Sequence, residues 1–276
     1  MRLVPTRSKI CCAATLTALL LAVYFAAAPT LRSAPADDAD GGTHTVIEVR
    51  VISKRAKFVG TSMGGAHVTL RDALTGELLT EGTTQGSTGD TKRIMTAAPR
   101  QGDVMATADA ASYTAELHLE KPRKIEVAAT GPVAQQQSAT SVSQTQWVVP
   151  GKHITEGDAW LLELRGLVVD VLEPPTHVKL QGTPREVKLS ANVTMMCGCP
   201  IGPDLPWKPD EFEVRAILRR DGDRVGTVQM EYAGKASQFE GTVQVEKPGA
   251  YQVTVYAYEP ANGNTGLDHV TFIVTE

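Results

Sequence analysis

Met195-Met196-Cys197-Gly198-Cys199-Pro200 places two thiols one residue apart, beside two thioethers. Sulfur donors of this kind are soft and select Cu(I) over hard cations, and Gly198 gives an extended backbone the freedom to let both thiols converge. Met195, Met196, Cys197 and Cys199 are therefore a candidate metal site, and copper is the one cofactor that these residues suggest. The same two cysteines can instead close a Cys197–Cys199 disulfide. A ring this small is strained and readily reduced, which suits thiol exchange. In its plainest form it is a structural clip at a strand end, with Met195 or Met196 packed in the core. A structural zinc finger is excluded, because it needs four ligands and the only other cysteines, Cys11 and Cys12, lie in an N-terminal apolar run.

Other chemistry is thinner. Gly60-Thr61-Ser62-Met63-Gly64 spells G-x-S-x-G, the nucleophile-elbow pattern. An elbow needs Ser62 on a turn from strand into helix, so that backbone N–H groups face the oxyanion. The following Gly65-Ala66-His67-Val68-Thr69-Leu70 alternates like a strand, so the motif reads as a Gly-rich loop. His44, His67, His118, His153, His177 and His269 are dispersed, without ligand-like pair spacing. His153 and His177, both in loops, are the two that would join the sulfur site. Asn262, Asn264 and Asp268 in one loop, and Asp221 and Asp223 in another, offer oxygens but lack the EF-hand order, and turn chemistry explains them. Asn192-Val193-Thr194 is a glycosylation sequon, meaningful in a eukaryotic source. There is no P-loop, dinucleotide fingerprint or haem-attachment motif. No catalytic constellation assembles, and the chain is read as no enzyme.

The N-terminus supplies an address. Arg2, Arg7 and Lys9 precede an uncharged apolar stretch from Ile10 to Ala28, the order of an export signal. Ala34-Pro35-Ala36 offers small residues for cleavage. Residues 1–36 are thus a signal peptide or a retained membrane anchor, and both place the rest outside the cytoplasm, in a periplasm or at a cell surface. Of 27 basic and 31 acidic residues, those 36 positions hold four basic (Arg2, Arg7, Lys9, Arg32) and no acidic one, so the exported part carries a net of −8. That charge excludes nucleic-acid binding through phosphates, and the membrane enters only through an uncleaved N-terminal segment.

The elements that must position these residues are strands. Val46, Glu48, Arg50 and Ile52 alternate with Ile47, Val49 and Val51, and Ser112–Leu119 and Lys124–Ala129 read the same way. Gly131–Gln146 has no charge, three consecutive Gln and almost no large apolar residue, and reads as a polar loop or spacer. Trp160–Leu172 reads as strands broken at Arg165-Gly166 or as a short helix. Beyond Glu173-Pro174-Pro175 and Thr183-Pro184, alternating runs at 186–195, 212–219, 225–232, 239–245, 251–258 and 269–274 follow one another, with Asp221-Gly222 as a tight hairpin signal. Strands at this spacing argue for an all-β chain of two β-sandwich modules in tandem, over 45–172 and 185–276.

Two resemblances attach to particular residues. Gly249-Ala250-Tyr251-Gln252-Val253-Thr254-Val255-Tyr256-Ala257, Gly263-Asn264 and Val270-Thr271-Phe272-Ile273-Val274 resemble a bacterial immunoglobulin-like sandwich without the antibody-type cysteine pair. That resemblance implies a structural corner at Tyr251. Gly65-Ala66-His67-Val68-Thr69-Leu70, Thr75-Gly76-Glu77 and Gly82-Thr83-Thr84 are similar to transthyretin-like, carboxypeptidase-regulatory-like modules, although Gly86–Thr91 lacks the usual closing aromatic. The expectation is an exported binding or assembly protein that presents sandwich modules to a protein partner. The alternative is a Cu(I) or thiol-redox accessory protein centred on the sulfur cluster.

Overall fold

The computed structural model describes residues 41–95 and 102–276, and the 1–36 targeting segment lies outside them. Seven strands form the first sandwich: β1 (Thr43–Ser53), β2 (His67–Asp72), β3 (Leu78–Thr83), β4 (Tyr113–Leu119), β5 (Arg123–Gly131), β6 (Thr140–Val148) and β7 (Trp160–Leu164). Nine form the second: β8 (Leu167–Glu173), β9 (Lys179–Gln181), β10 (Arg185–Met195), β11 (Glu213–Arg220), β12 (Asp223–Gln229), β13 (Glu231–Tyr232), β14 (Gln238–Val245), β15 (Gly249–Glu259) and β16 (Asn264–Thr275). The chain is all-β. Among the described residues, no helix is long and apolar enough to cross a membrane.

In the first sandwich the sheet β4-β1-β7 faces the sheet β3-β2-β5-β6. Ile47, Val49, Val51, Leu162 and Leu164 meet Val68, Leu70, Ile125 and Val127 in one core. In the second, β13-β14-β10-β8 packs on β12-β11-β15-β16-β9. The period-two pattern sets both cores: β15 buries Tyr251, Val253, Val255, Ala257 and Glu259 while the residues between them stay partly solvated. The hairpin from β11 to β12 turns at Asp221 and Gly222, both at positive φ (50° and 94°), as the tight turn requires. The corner expected at Tyr251 is present. Its hydroxyl donates to the Lys247 carbonyl at 2.7 Å, and its ring stacks on Phe272 at 5.2 Å.

Two expectations need correction. Gly131–Gln146 is not a spacer. After a 3-10 turn at Gln136–Ser138, Thr140–Val148 is strand β6, paired antiparallel with β5 from Gly131↔Thr140 to Arg123↔Val148. It lacks the alternating signature because it is an edge strand exposed on both faces from Ser143 to Trp147. The boundary of the first module also moves. Trp160–Leu172 is two strands broken at Arg165-Gly166, with Gly166 at φ +138°. β7 pairs parallel with β1, whereas β8 pairs antiparallel with β10, so Leu167–Glu173 belongs to the second sandwich and not to a 45–172 module.

Candidate functional site

β10 runs out at Met195 into a tight turn. The Gly198 N–H donates to the Met195 carbonyl (2.8 Å), and the Met195 N–H donates to the Cys199 carbonyl (3.1 Å). Gly198 sits at φ +76°, where a side chain is strained, and a Cβ there would collide with the Met63 thioether. Within this turn Cys197 and Cys199 are joined as a disulfide, with their Cα atoms 5.4 Å apart. Both are buried, at 1% and 6% exposure.

The four sulfurs are not gathered into one site. Met195 packs with Cys197 and Cys199 in the second core, whereas Met196 packs in the first core and lies against Gly166. Met195 closes β10 and Met196 opens the turn, so the two side chains leave in different directions, each into its own sandwich. A copper site that used all four sulfurs would also need both cysteines as thiolates, and the two are committed to each other as a disulfide. The cluster thus holds the turn between the two cores.

Beside that turn, a set of polar groups joins the sandwiches. Arg55, in the turn after β1, donates to the Glu259 carboxylate at the end of β15 and lies 3.9 Å from Glu211. Glu259 is fully buried while the Arg55 side chain is 42% exposed. Asn264 donates from Nδ2 to Glu259 Oε2 (3.3 Å) and accepts the Gly166 N–H (3.2 Å). Trp207 Nε1 donates to the Arg55 carbonyl at 2.9 Å. Ser138 Oγ accepts the Val169 N–H (3.1 Å) and donates to the Val169 carbonyl (3.2 Å). Ala56, from the first sandwich's own turn, is buried in the second core. Sequence reading passed over Glu259, although its parity with Tyr251, Val253, Val255 and Ala257 places it inward.

The remaining candidates fall to ordinary roles. Ser62 lies in a 3-10 turn, Thr61–Met63, that leads into β2 and not into a helix. Neither expected histidine finds its partners at the sulfur turn. His153 lies 6.0 Å from His44, which lies 5.5 Å from His118, and its Nδ1 accepts the Val46 N–H at 3.0 Å. That bond leaves the neutral ring's proton on Nε2, the atom a metal would need free. His177 donates its backbone N–H to Thr271 in a positive-φ turn. Among the described residues, no group of three or more His, Cys, Asp or Glu side chains is arranged to hold a metal ion. Asn262 Oδ1 accepts the Asn264 N–H (2.8 Å) and Asp221 Oδ1 accepts the Ala250 N–H (3.0 Å), both turn contacts. Asp268 Oδ2 accepts the Val171 N–H (2.9 Å), and burial, then the nearby Asp268 charge, pushes the Asp170 carboxyl above the usual carboxylate value.

One surface stands apart. An open cleft of about 570 Å³ beside β5, lined by Thr130, Gly131, Pro132 and Gln136, offers His67 as its one titratable side chain. β6, which starts beside it, forms the free edge of its sheet among the described residues, and toward the far end of that strand Trp147 is 60% exposed, with Val149 just beyond at 45%. No charged residue stands between Glu126 and Lys152.

No protein-family model and no curated protein matches the chain. Among solved structures it is similar to the fibronectin(III)-like modules of Clostridium thermocellum CbhA, at 12% identity and a TM-score of 0.28 over 84% of this chain and 94% of that one. It is also similar to three N-terminal domains of the bacteriophage RB49 outer capsid protein Hoc, at 15% identity and a TM-score of 0.28 over 84% and 59%. A third is titin A168169, at 11% identity and a TM-score of 0.23 over 85% and 97%.

Proposed function

We propose that this chain is an exported, non-enzymatic assembly protein, a single rigid pair of sandwiches that offers the edge of β6 to a protein partner. The observation that carries the reading is the β6 edge itself. It is nine residues long, uncharged, without proline, and exposed on both faces over its centre. Such an edge is a row of backbone donors and acceptors ready to take another strand, and proteins that do not use one protect it with charge, proline or brevity. The Arg55–Glu259–Asn264 joint supports the rigid-body part, because a half-exposed arginine of the first sandwich meets a fully buried carboxylate of the second. The export part rests on the N-terminal order of basic and apolar residues.

The Cu(I) or thiol-redox alternative at Met195, Met196, Cys197 and Cys199 has less support, since a buried disulfide beside divergent methionines presents no thiolate to a metal or substrate. A photo-crosslinking residue at Gln146 of the full chain, in its own compartment, tests the main reading. Discrete adducts are expected there and not from a probe at Leu74, another exposed position, on the β2–β3 turn. Equal labelling at both positions sinks the proposal.

A further inference from the structure

Among the described residues, four sheets present eight edge strands, and seven of them are guarded. β3 carries Glu81, β4 Glu116, β7 Glu163, β8 Asp170 and Glu173, and β12 Asp223 and Arg224, while β9 and β13 are short and carry Lys179 and Glu231. β6 alone has no charge. Beyond Thr140, whose hydroxyl donates to the Arg165 carbonyl at 2.6 Å, its strand partners and side-chain hydrogen bonds lead back to β5, as with Ser141 on Thr130 at 2.7 Å.

We infer that the occupant of this edge is β6 of a second copy, added antiparallel about a two-fold axis, so that the two four-stranded sheets run on as one. This rests on the assembly reading above and names its partner. Charge is the argument. In a two-fold strand pair the residue on the axis faces its own copy and those beside it lie diagonally across from theirs, so a charge near the axis meets a like charge, whereas a different partner can supply the complement. A strand kept free of charge in an exported chain of net −8 suits its own copy. Elsewhere on the surface, two such acidic molecules repel.

The register follows from exposure. The run exposed at every residue is Ser143–Trp147, and its midpoint is Thr145. With the axis there, Thr145 faces its own copy, Gln144 faces the second Gln146, and Ser143 faces the second Trp147. These are a hydroxyl pair, an amide pair able to exchange hydrogen bonds, and an indole over a small residue.

The test is sedimentation equilibrium on the purified full-length exported chain, with Thr145→Lys and Thr145→Glu variants alone and mixed. The wild type is expected to be a dimer, and each variant to dissociate at least about fivefold more readily. The equimolar mixture is expected to recover the dimer, because Lys then faces Glu. Unchanged circular-dichroism spectra separate loss of pairing from loss of fold. If both variants misfold, Ser143→Lys mixed with Trp147→Glu repeats the mixing comparison in the same register, since the introduced Lys then faces the introduced Glu across the pair.

A monomeric wild type, or a mixture no tighter than its components, overturns the inference. A monomeric wild type that still crosslinks another protein through Gln146 leaves the assembly reading standing. One that crosslinks nothing there removes both.

Discussion

Removing the Arg55 guanidinium should cost more than removing the carboxylate it meets. Glu259 is fully buried, and in Arg55→Met its charge keeps only the Asn264 amide at 3.3 Å. Stranding a buried ion costs about 3–5 kcal/mol. The exposed flank of Arg55 and the retained amide place this case at the lower end, about 3 kcal/mol. Glu259→Gln leaves the opposite remainder. Arg55 is 42% exposed and has Glu211 at 3.9 Å, so its charge falls back on water and a second carboxylate, and the loss is about 1–2 kcal/mol, that of one charged hydrogen bond. The Arg55→Met/Glu259→Gln double variant should then be more stable than Arg55→Met alone, since the second change removes the stranded charge. Urea unfolding followed by tryptophan fluorescence is suited to this, because Trp207 donates to the Arg55 carbonyl. The reasoning is refuted if Arg55→Met loses less than about 0.5 kcal/mol, if Glu259→Gln is the worse variant, or if the double variant is the least stable of the three.

Three further predictions concern single elements. The Asp170 carboxyl is held above its ordinary value of 3.8 by burial and then by the Asp268 charge, so the folded state binds more protons than the unfolded chain between those two values, and stability falls as pH rises through that window. Asp170→Asn should therefore raise the melting temperature at neutral pH and have no effect below about pH 3.5; the same shift at both pH values would show that charge is not the cause. Replacing Cys197 and Cys199 together with Ala should cost about 1.6 kcal/mol from opening so small a ring while crosslinking at Gln146 persists, and loss of that crosslink in a folded variant would return the sulfur turn to the functional account. Tyr251→Phe keeps the stack on Phe272 but loses the bond to Lys247, and should cost about 1 kcal/mol in chemical unfolding; an unchanged midpoint would deny the corner any energetic role.

Most strands were legible because one face of each is buried. Tyr251, Val253, Val255 and Ala257 announce β15 by alternation, and Asp221-Gly222 announces its turn through the positive φ both residues tolerate. What alternation cannot supply is the partner. Trp160–Leu172 shows apolar residues throughout, but whether each half joins the first or second sandwich depends on Val49↔Trp160 and Ala191↔Val171, pairs that only the assembled sheets bring together. Met195 and Met196 show the reverse case. Neighbours in the chain, they part where β10 ends and the turn begins, and closeness in sequence does not gather four sulfurs in space.

The charge gap between Glu126 and Lys152 was visible from the start, and its meaning depended on a single structural fact. In a spacer, absence of charge and of large apolar residues says only that no core forms there. In a strand paired on one side, the same composition removes the devices that stop a second strand from joining. Ser, Thr, Gln and Val are compatible with extended backbone, and β5 supplies the register that burial does not. β6 is therefore held by β5 and by Val142 and Val148 near its two ends, and its centre is open without a guard. The seven other edges show that this chain guards an edge with charge or brevity, so the unguarded one follows neither from composition nor from the needs of the fold. The joint at Arg55 and Glu259 adds the mechanical half of the argument. A strand offered for pairing transmits orientation only if the body behind it is stiff, and the bond from Arg55 of the first sandwich to the fully buried Glu259 of the second, with Ala56 buried in the second core, is what couples β6 to both.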